Sequence, residues 1–210
     1  MQYIIMCGGP RSWKPLQKVA GQTLVGRTID LLRRNNITDI AISTNDNNYE
    51  PISTEFGVPI LNHDNPMTWD GFVWLRAFYP ATEPTCYVNG DVFFSPEAIR
   101  TIVETKTDDI EFFASAPPFD KQYIKRWAEP FAFKVQDIDR FFACVATAKK
   151  LGDLGRFKRI PCSWELWQVI KNTELNKINY KNYTVINDYT CDVDGSEEVA
   201  RIEKIQGGRK

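Results

Sequence analysis

The chain has 210 residues, of which 43 % are hydrophobic and 25 % charged, so its composition is that of a folded globular protein rather than a disordered one. Its 26 lysines and arginines nearly balance its 27 aspartates and glutamates, which argues against a nucleic-acid-binding protein that works through a general basic field. A local basic pocket for one anionic ligand is compatible with that balance. This length predicts a single domain with a sizeable core.

The five cysteines predict reduced thiols rather than a disulfide framework. Their number is odd, no two have C-x-x-C spacing, and the chain has one histidine, His63, so a Cys/His zinc site is not expected. The sequence shows no apolar leader at its N-terminus and no run of about 18 apolar residues. These features predict a soluble, cytoplasmic protein that has no membrane partner.

The first half of the sequence alternates between short apolar runs and amphipathic stretches. The apolar runs predict strands at 3–7, 39–43, 58–61 and 85–89. The amphipathic stretches predict helices at 23–34, at 69–79 and from about Ser95, which is the expected N-cap. In the second of these helices we expect Trp74, Leu75 and Phe78 to face inward. Such alternation is typical of a mostly parallel sheet covered on both faces.

The pattern changes after Asp109. It predicts strands at 110–116, 131–135 and 183–186, and helices at 137–151, 162–170 and 196–204. There is no internal repeat and no linker rich in Gly or Ser. We therefore expect one α/β domain over residues 1–210, a three-layer sandwich of Rossmann-like type with a mostly parallel mixed sheet.

Three polar loops follow predicted strands, at 8–14, 44–48 and 89–92. In open α/β sheets, ligands bind in the crevice beyond the carboxyl ends of the strands. The sequence therefore places its chemistry at these three loops.

The first loop combines two glycines with two cations. Gly8 and Gly9 let backbone N–H groups approach an anion without a Cβ in the way, and Arg11 and Lys14 add positive charge that suits a triphosphate. A solvated turn with ordinary surface cations is the alternative reading of the same residues.

The wider pattern, Gly-Gly, Arg, then Lys-Pro-Leu-x-x-Val-x-Gly-x-x-Leu-Val-x-Arg-Thr-Ile over residues 8–29, resembles the N-terminal signature of the nucleotidyltransferases that activate sugars and alcohol phosphates. These include the sugar-phosphate nucleotidylyltransferases and the phosphocholine cytidylyltransferase-like proteins. The resemblance implies the nucleotide-diphospho-sugar transferase type of fold. It also implies that the loop around Cys7, Gly8 and Gly9 wraps the nucleotide phosphates, and that Arg11 and Lys14 are the catalytic cations.

The loop departs from the family pattern at one point. The family usually has Gly-Gly-x-Gly-Thr-Arg-Leu with several residues before Lys-Pro, whereas here only Ser12 and Trp13 separate Arg11 from Lys14. Pro10 has no N–H to donate, so a smaller phosphate cradle is expected.

Two acidic motifs match the family's metal site. Asp91 follows Gly90 at the end of a predicted strand, and Asp192 and Asp194 open the last helix in an Asp-x-Asp pattern. The resemblance implies that these three carboxylates hold Mg²⁺, which prefers oxygen ligands and keeps several waters. The alternatives are a turn residue for Asp91 and, for the other two, a favourable position at a helix N-terminus.

Further candidates carry weaker signals. Nucleotide-binding residues are expected at Thr44, Asn45, Asp70 and Gly71, although ordinary caps and turns explain them as well. The family's acceptor pocket would fall in the second half of the chain, with candidates Glu129, Lys134 and Glu165. Aromatic residues either shape that pocket or form core, the more common role for such a stripe: Trp127, Phe131, Phe133, Trp164 and Trp167.

Taken with the resemblance, these residues predict a Mg²⁺-dependent nucleotidyltransferase. It would join an NTP, with CTP or UTP favoured, to a phosphorylated sugar or alcohol and release pyrophosphate, as a monomer or homodimer and in the supply of cell-surface polysaccharide precursors. Residues 1–109 would form the nucleotide-binding half, and 110–210 the half that binds the acceptor and completes the metal site. The alternatives are a glycosyltransferase of the type-A nucleotide-sugar fold and a degenerate protein that binds nucleotide without turnover.

Overall fold

A computed structural model of the chain describes residues 1–63, 71–116 and 128–207. Its strands are β1 (Gln2–Met6), β2 (Lys18–Val19), β3 (Gln22–Thr23), β4 (Ile40–Thr44), β5 (Ile60–Asn62), β6 (Thr85–Asn89), β7 (Val92–Phe93), β8 (Ile110–Ala114), β9 (Pro130–Val135), β10 (Thr184–Val185) and β11 (Cys191–Asp192). Its α-helices are α1 (Leu24–Arg34), α2 (Glu50–Phe56), α3 (Pro96–Glu104), α4 (Ile138–Asp153), α5 (Ser163–Ile170) and α6 (Ser196–Gly207).

Among the described strands, seven form one mixed sheet in the order β10-β8-β9-β6-β1-β4-β5. The central strand β1 pairs in parallel with β4 on one side and with β6 on the other. β9 alone runs against its neighbours, since it pairs antiparallel with both β6 and β8. The carboxyl ends of β1, β4 and β6 therefore meet at the same edge of the sheet, where the three polar loops begin.

Helices cover both faces of this sheet because successive side chains on each strand point in opposite directions. On β1, Tyr3 and Ile5 pack with α1, α2 and α3, whereas Ile4 packs on the other face with α4 and α5. Both clusters consist of side chains that are almost wholly buried. The expected three-layer α/β sandwich with a mostly parallel sheet is confirmed.

In a third, smaller hydrophobic cluster, the C-terminal segment packs against β2, β7 and the start of α1. Helix α6 packs on β2 of the β2–β3 hairpin, and the shared apolar residues are Val19, Leu24, Phe93, Tyr189, Val193 and Ile202. Short strand β11 pairs antiparallel with β7 directly beside them. This packing brings the end of the chain next to the loop that follows β6.

Most predicted elements are confirmed to within a few residues, but the helix expected at 69–79 is wrong in its described part. Residues 71–76 form turns, and 69–70 lie outside the described residues. One helical turn closes where Arg76 N–H donates to the Phe72 carbonyl, at 3.0 Å, and no regular helix follows. Leu75 and Phe78 are buried as expected, whereas Trp74 is 43 % exposed.

Helix α2 does not appear among the sequence predictions. It has Pro51 in its first turn and ends at Gly57, whose φ of 57° is the left-handed conformation that glycine adopts readily. In the described part of the chain, no helix combines the length and the apolar character needed to cross a membrane.

Candidate active site

The loop after β1 folds back on itself in two tight turns. Gly9 has a φ of 93°, Ser12 N–H donates to the Gly9 carbonyl at 3.0 Å, and Lys14 N–H donates to the Arg11 carbonyl at 2.9 Å. Glycine suits the first turn because residues with a Cβ rarely adopt such a φ. The loop is thus compact despite Pro10, and it ends in a 3₁₀ turn over Lys14–Leu16 that aims the lysine inward.

The loop after β4 supports this first loop. Tyr49, which is wholly buried, donates its hydroxyl to the Ser12 carbonyl, and Ser12 Oγ donates to Asp46 Oδ2 at 2.7 Å. Buried Thr44 donates to the Cys7 carbonyl at 3.4 Å and accepts from Asp46 N–H at 3.1 Å. Thr44 and Asn45 thus belong to a supporting loop, and neither is among the residues that line the cavity described below.

Lys14 lies at the centre of a charged cluster. Its side chain is 3 % exposed, and its Nζ is 2.5 Å from Asp194 Oδ1, 3.3 Å from Asp91 Oδ2 and 3.8 Å from Asp192 Oδ1. Arg11 reaches the same carboxylate oxygen of Asp194 from the outside, at 3.1 Å. The structure thus brings together the five residues that the sequence proposed as catalytic cations and metal ligands.

Backbone pairing between distant segments explains this convergence. Asp192 of β11 is paired with Val92 of β7, and Val193 N–H donates to the Asp91 carbonyl at 2.9 Å. Glu129 Oε2 accepts from Asp192 N–H at 3.1 Å, so this buried residue, a candidate for acceptor binding, anchors the backbone of β11.

Gly90 allows the Asp91 loop to approach the end of β1. A Cβ on Gly90 would lie 2.6 Å from the Met6 carbonyl oxygen and 2.7 Å from Cys7 Sγ. Both distances are shorter than real Cβ contacts, so only glycine fits here without displacing β1 or β6. The sequence Asn-Gly-Asp is therefore determined by packing as well as by chemistry.

The cluster shifts the pKa values of two of its members. Burial of the Lys14 ammonium lowers its pKa, but the charges of Asp91, Asp192 and Asp194 outweigh burial, so the pKa is raised and the side chain is charged at neutral pH. Burial, followed by the charges of Asp91 and Asp194, raises the pKa of Asp192 well above its ordinary value, against the opposing effect of Lys14.

The carboxylates suit a Mg²⁺ site in which the protein supplies part of the coordination shell and the substrate completes it. The three carboxylates outnumber Arg11 and Lys14, and Asp192 Oδ1 is buried with no hydrogen-bond partner among the described residues. Within the described ranges no three His, Cys, Asp or Glu residues form a closed metal cage. Mg²⁺ commonly takes one or two carboxylates and completes its shell with water and phosphate oxygens, so a closed cage is not required.

A cavity of about 710 Å³ opens beside the cluster. Among the described residues, one wall is formed by the loop after β1 and the carboxylates, including Cys7, Gly8, Arg11, Lys14, Asp91, Asp192 and Asp194. The other wall is mostly apolar and carries one cation, with Val73, Trp74, Ala77, Phe78, Ala128, Arg159, Ile160, Cys162, Ser163 and Trp164. Burial raises the pKa of the Cys7 thiol, so this cavity residue is not a thiolate nucleophile.

Arg159 is a cavity residue that sequence reasoning missed, and Glu165 holds it in place. Arg159 Nε lies 2.6 Å from Glu165 Oε1, and Glu165 Oε2 accepts from Cys162 N–H at 3.0 Å in a capping box at the start of α5. Glu165 itself is not in the cavity lining. The Cys-x-x-Glu spacing was the sequence signal for this capping box, but cysteine is an unusual N-cap residue.

The structure contradicts the assignment of Lys134 to the acceptor side. Its ammonium is buried and donates to the carbonyls of Ile102, Val103 and Thr105 at 2.7 to 2.9 Å, at the end of α3. Lys134 lies on β9, where alternation directs its side chain to the face covered by α3, away from the cavity. It caps a helix rather than binding a substrate.

The remaining candidates lie elsewhere or in the core. Gly71 is exposed and is not among the cavity residues, and Asp70 and Trp127 lie outside the described residues. Phe131, Phe133, Trp164 and Trp167 are at most 2 % exposed, so they are core residues. Of these four, Trp164 also lines the cavity.

Comparison with known proteins identifies related folds. The structure is similar to 4-diphosphocytidyl-2C-methyl-D-erythritol synthase from Anaerococcus prevotii, with a TM-score of 0.61 and 14 % identity over 98 % of this chain and 95 % of that one. It is also similar to CTP:phosphocholine cytidylyltransferase from Streptococcus pneumoniae, with a TM-score of 0.56 and 14 % identity over 98 % of each chain. A third similar structure, described as a glucose-1-phosphate thymidylyltransferase from Bacillus anthracis, gives a TM-score of 0.58 and 15 % identity over 98 % of this chain and 94 % of that one.

At these identities the structures establish a shared fold, and the family rests on sequence. No curated protein matches the chain by sequence. The family model of the MobA-like NTP transferase domain matches residues 5–154, more than half of the chain and the segment from the end of β1 through α4. The chain therefore belongs to the nucleotidyltransferases, in the family of MobA-like NTP transferase domains.

Proposed function

We propose that this protein transfers a nucleotidyl group from an NTP to the phosphate of a small-molecule acceptor, in the presence of Mg²⁺, and releases pyrophosphate. The observation that carries the proposal is the buried Lys14 ammonium, in the loop after β1, within 3.8 Å of the carboxylates of Asp91, Asp192 and Asp194. A permanent cation beside a surplus of carboxylates suits a metal–triphosphate complex, because the phosphates contact the lysine while the carboxylates hold the metal.

The transfer needs no side chain of the protein as a nucleophile. An oxygen of the acceptor phosphate attacks the α-phosphorus, the bond from that phosphorus to the oxygen bridging the β-phosphorus breaks, and its electron pair leaves with pyrophosphate. Lys14 and Arg11 oppose the negative charge that develops on the α-phosphoryl and on the leaving group. Asp91, Asp192 and Asp194 would hold Mg²⁺, which supplies further charge neutralisation when bound.

A pyrimidine nucleotide, with CTP ahead of UTP, is the favoured donor. The similar structures are named for transfer of cytidylyl and thymidylyl groups, and they match this chain over nearly its whole length. The compact loop around Pro10, held by Tyr49 and Asp46, defines a small phosphate cradle that all these donors could share.

The direct test is an assay of pyrophosphate release that combines each of four NTPs and Mg²⁺ with a panel of phosphate monoesters of sugars and alcohols. We expect pyrophosphate from at least one pair, CTP first, and none when either Mg²⁺ or the acceptor is omitted. Nucleotide binding without release from any pair would favour the alternative of a nucleotide-binding protein without turnover.

The same assay addresses the glycosyltransferase alternative, in which a nucleotide-sugar would be consumed and no pyrophosphate released. The structure gives that alternative little support. A type-A glycosyltransferase uses an Asp-x-Asp motif after the middle strand, whereas here Asn89 occupies the first position and donates its amide to the Pro130 carbonyl at 2.9 Å.

A further inference from the structure

The cavity lining includes a second site for an anion, the cation Arg159, whose side-chain partners are defined. The Arg159 side chain is 52 % exposed, whereas its partner Glu165 is 3 % exposed, so the pair has one buried end and one end open to the cavity. Glu165 contacts Nε and one terminal nitrogen of the guanidinium, at 2.6 and 3.4 Å, and the same terminal nitrogen donates to Cys162 Sγ at 3.4 Å. The other terminal nitrogen has no hydrogen-bond partner among the described residues.

We propose that Arg159 binds the phosphate group of the acceptor and that Glu165 is the positioning residue that orients it. This inference rests on the proposed function, because it assigns the second substrate of the same reaction. A guanidinium is planar and presents two separate edges, each of which matches two oxygens of a carboxylate or phosphate. Glu165 occupies the edge that includes Nε, and the terminal nitrogen on that edge also contacts Cys162 Sγ, which leaves the other terminal nitrogen as the donor for an anion in the cavity.

The position of Arg159 in the fold favours a role in binding the acceptor rather than the nucleotide. Trp164, at the start of α5, donates its indole N–H to the Ala128 carbonyl at 3.1 Å, just before β9. In the sheet order β9 is two strands from β1, and neighbouring strands are about 5 Å apart, so the backbone of this wall begins about 10 Å from the end of β1, whereas the Lys14 side chain reaches Asp91, just after β6. We therefore place the triphosphate on the loop after β1, beside Arg11 and Lys14, and the acceptor phosphate beside Arg159.

The surroundings of Arg159 define the rest of the ligand class. Trp74 and Ile160 line the cavity on the same wall and are 43 % and 48 % exposed. Large apolar side chains with that much exposure offer a surface on which the C–H groups of a sugar ring or alkyl chain can pack. The expected acceptor is thus a phosphate monoester whose body lies against Trp74 and Ile160 and whose phosphate contacts Arg159.

Inorganic phosphate is a suitable probe, because it carries the shared chemistry of such acceptors. We would titrate it calorimetrically into the wild-type chain saturated with Mg²⁺ and the α,β-methylene analogue of CTP, which fills the Lys14 wall without reacting. Arg159→Gln should weaken phosphate binding by about tenfold or more, since a hydrogen-bonded charge is lost. Arg156→Gln is the matched control, because Arg156 is exposed, three residues away and not among the cavity residues.

Glu165→Gln tests the positioning role. It should also weaken phosphate binding, and in the Arg159→Gln background it should cause no further loss, because it acts only through the arginine. A purely structural effect of Glu165 would instead lower the unfolding temperature without this non-additivity in phosphate affinity.

The outcomes separate this inference from the proposed function. The binding of the CTP analogue is measured on each variant without phosphate, and we expect it to be equal in wild type and Arg159→Gln. If the CTP analogue binds neither wild type nor the variants, the result counts against the proposed function. In that case phosphate is titrated without nucleotide, and the comparison of wild type with Arg159→Gln still tests the role of Arg159. If wild type binds no phosphate, if Arg159→Gln binds it as tightly as wild type, or if the CTP analogue displaces it, the inference is overturned.

Discussion

Lys14 Nζ lies 2.5 Å from Asp194 Oδ1, although 180 residues separate the two positions in the chain. The loop after β1 places the lysine, and the pairing of β11 with β7 places the aspartate. A contact between the two ends of the chain therefore forms the centre of the candidate site, and α6 holds it by packing on the hairpin that follows the lysine. The N-terminal loop and the C-terminal segment thus meet at this point.

Replacement of Lys14 by Met tests this contact. The substitution removes the only buried cation of the cluster within the described residues and leaves the carboxylates of Asp91, Asp192 and Asp194 to repel one another. We expect pyrophosphate release to fall by about 100-fold or more and the metal-free protein to lose about 1 to 3 kcal/mol in unfolding free energy. Steady-state assays and urea unfolding measure the two effects.

Added Mg²⁺ should recover part of the stability that Lys14→Met loses, because a bound cation also relieves repulsion between carboxylates. It should not recover turnover. Turnover equal to that of wild type would remove Lys14 from the mechanism.

Asp91→Asn tests the metal site. The change keeps the size of the side chain but removes one of the three charges that face Lys14, so Mg²⁺ should bind more weakly and activity should be lost. We expect the additional thermal stabilisation that Mg²⁺ gives in the presence of CTP to disappear in this variant. The measurement is the unfolding temperature with CTP alone and with CTP plus Mg²⁺.

Asp108→Asn is the matched control for that experiment. Asp108 is exposed in the loop before β8, at the edge of the sheet opposite the active site. Its Mg²⁺-dependent stabilisation should equal that of wild type, and an Asp91→Asn protein that behaves like this control would contradict the assignment of Asp91.

Gly90→Ala tests the close approach of the Asp91 loop to β1. The added methyl group would overlap the Met6 carbonyl oxygen and Cys7 Sγ, so we expect a loss of about 2 to 4 kcal/mol in unfolding free energy together with loss of activity. Thermal and chemical unfolding provide the measurement. Gly207→Ala should leave stability nearly unchanged, since within the described residues no atom beyond its chain neighbours and its own helix backbone lies within 4 Å of the added methyl group.

Tyr49→Phe tests the support of the phosphate loop from β4. The hydroxyl that donates to the Ser12 carbonyl is lost, and a buried carbonyl is left with one hydrogen bond fewer. We expect the Kd for CTP with Mg²⁺ to rise by about 5- to 10-fold, because the loop that carries Arg11 and Lys14 is less well ordered. An unchanged Kd would show that the loop keeps its conformation without this contact.

Lys134→Met tests the helix-capping role of that residue. Three carbonyls at the end of α3 lose their donor, so stability should fall by about 1 to 3 kcal/mol while the KM values for nucleotide and acceptor stay unchanged. A rise in the acceptor KM at unchanged stability would restore Lys134 to the acceptor site.

The fold and one wall of the site follow from local patterns in the sequence. Strand β1 forms from an apolar run that Gly8-Gly9 follows, and α3 begins with Ser95 as N-cap, whose hydroxyl accepts from Ala98 N–H at 2.8 Å. Because parallel strands end at the same edge of a sheet, the polar loops after them could be placed together before any side-chain contact was known.

The parts that could not be predicted depend on long-range contacts. Strands β7 and β11 have two residues each, too few for any periodicity, yet their pairing places Asp192 beside Asp91. The apolar spacing at 69–79 has the period of a helix, but a single turn is enough to bury Leu75 and Phe78. Arg159 and Lys134 are both basic residues, and only the tertiary structure shows that one faces the cavity and the other caps α3.

The fate of the nucleotide phosphorus atoms tests nucleotidyl transfer most directly. CTP radiolabelled at the α-phosphorus and CTP radiolabelled at the γ-phosphorus are each incubated with Mg²⁺ and the acceptor panel, with wild type and with Lys14→Met. We predict that wild type moves the α label into a new species that contains the acceptor and the γ label into pyrophosphate, in equal amounts, and that Lys14→Met moves almost none. Release of the γ label as inorganic phosphate, or retention of both labels in CTP that is nevertheless bound, would contradict nucleotidyl transfer at this site.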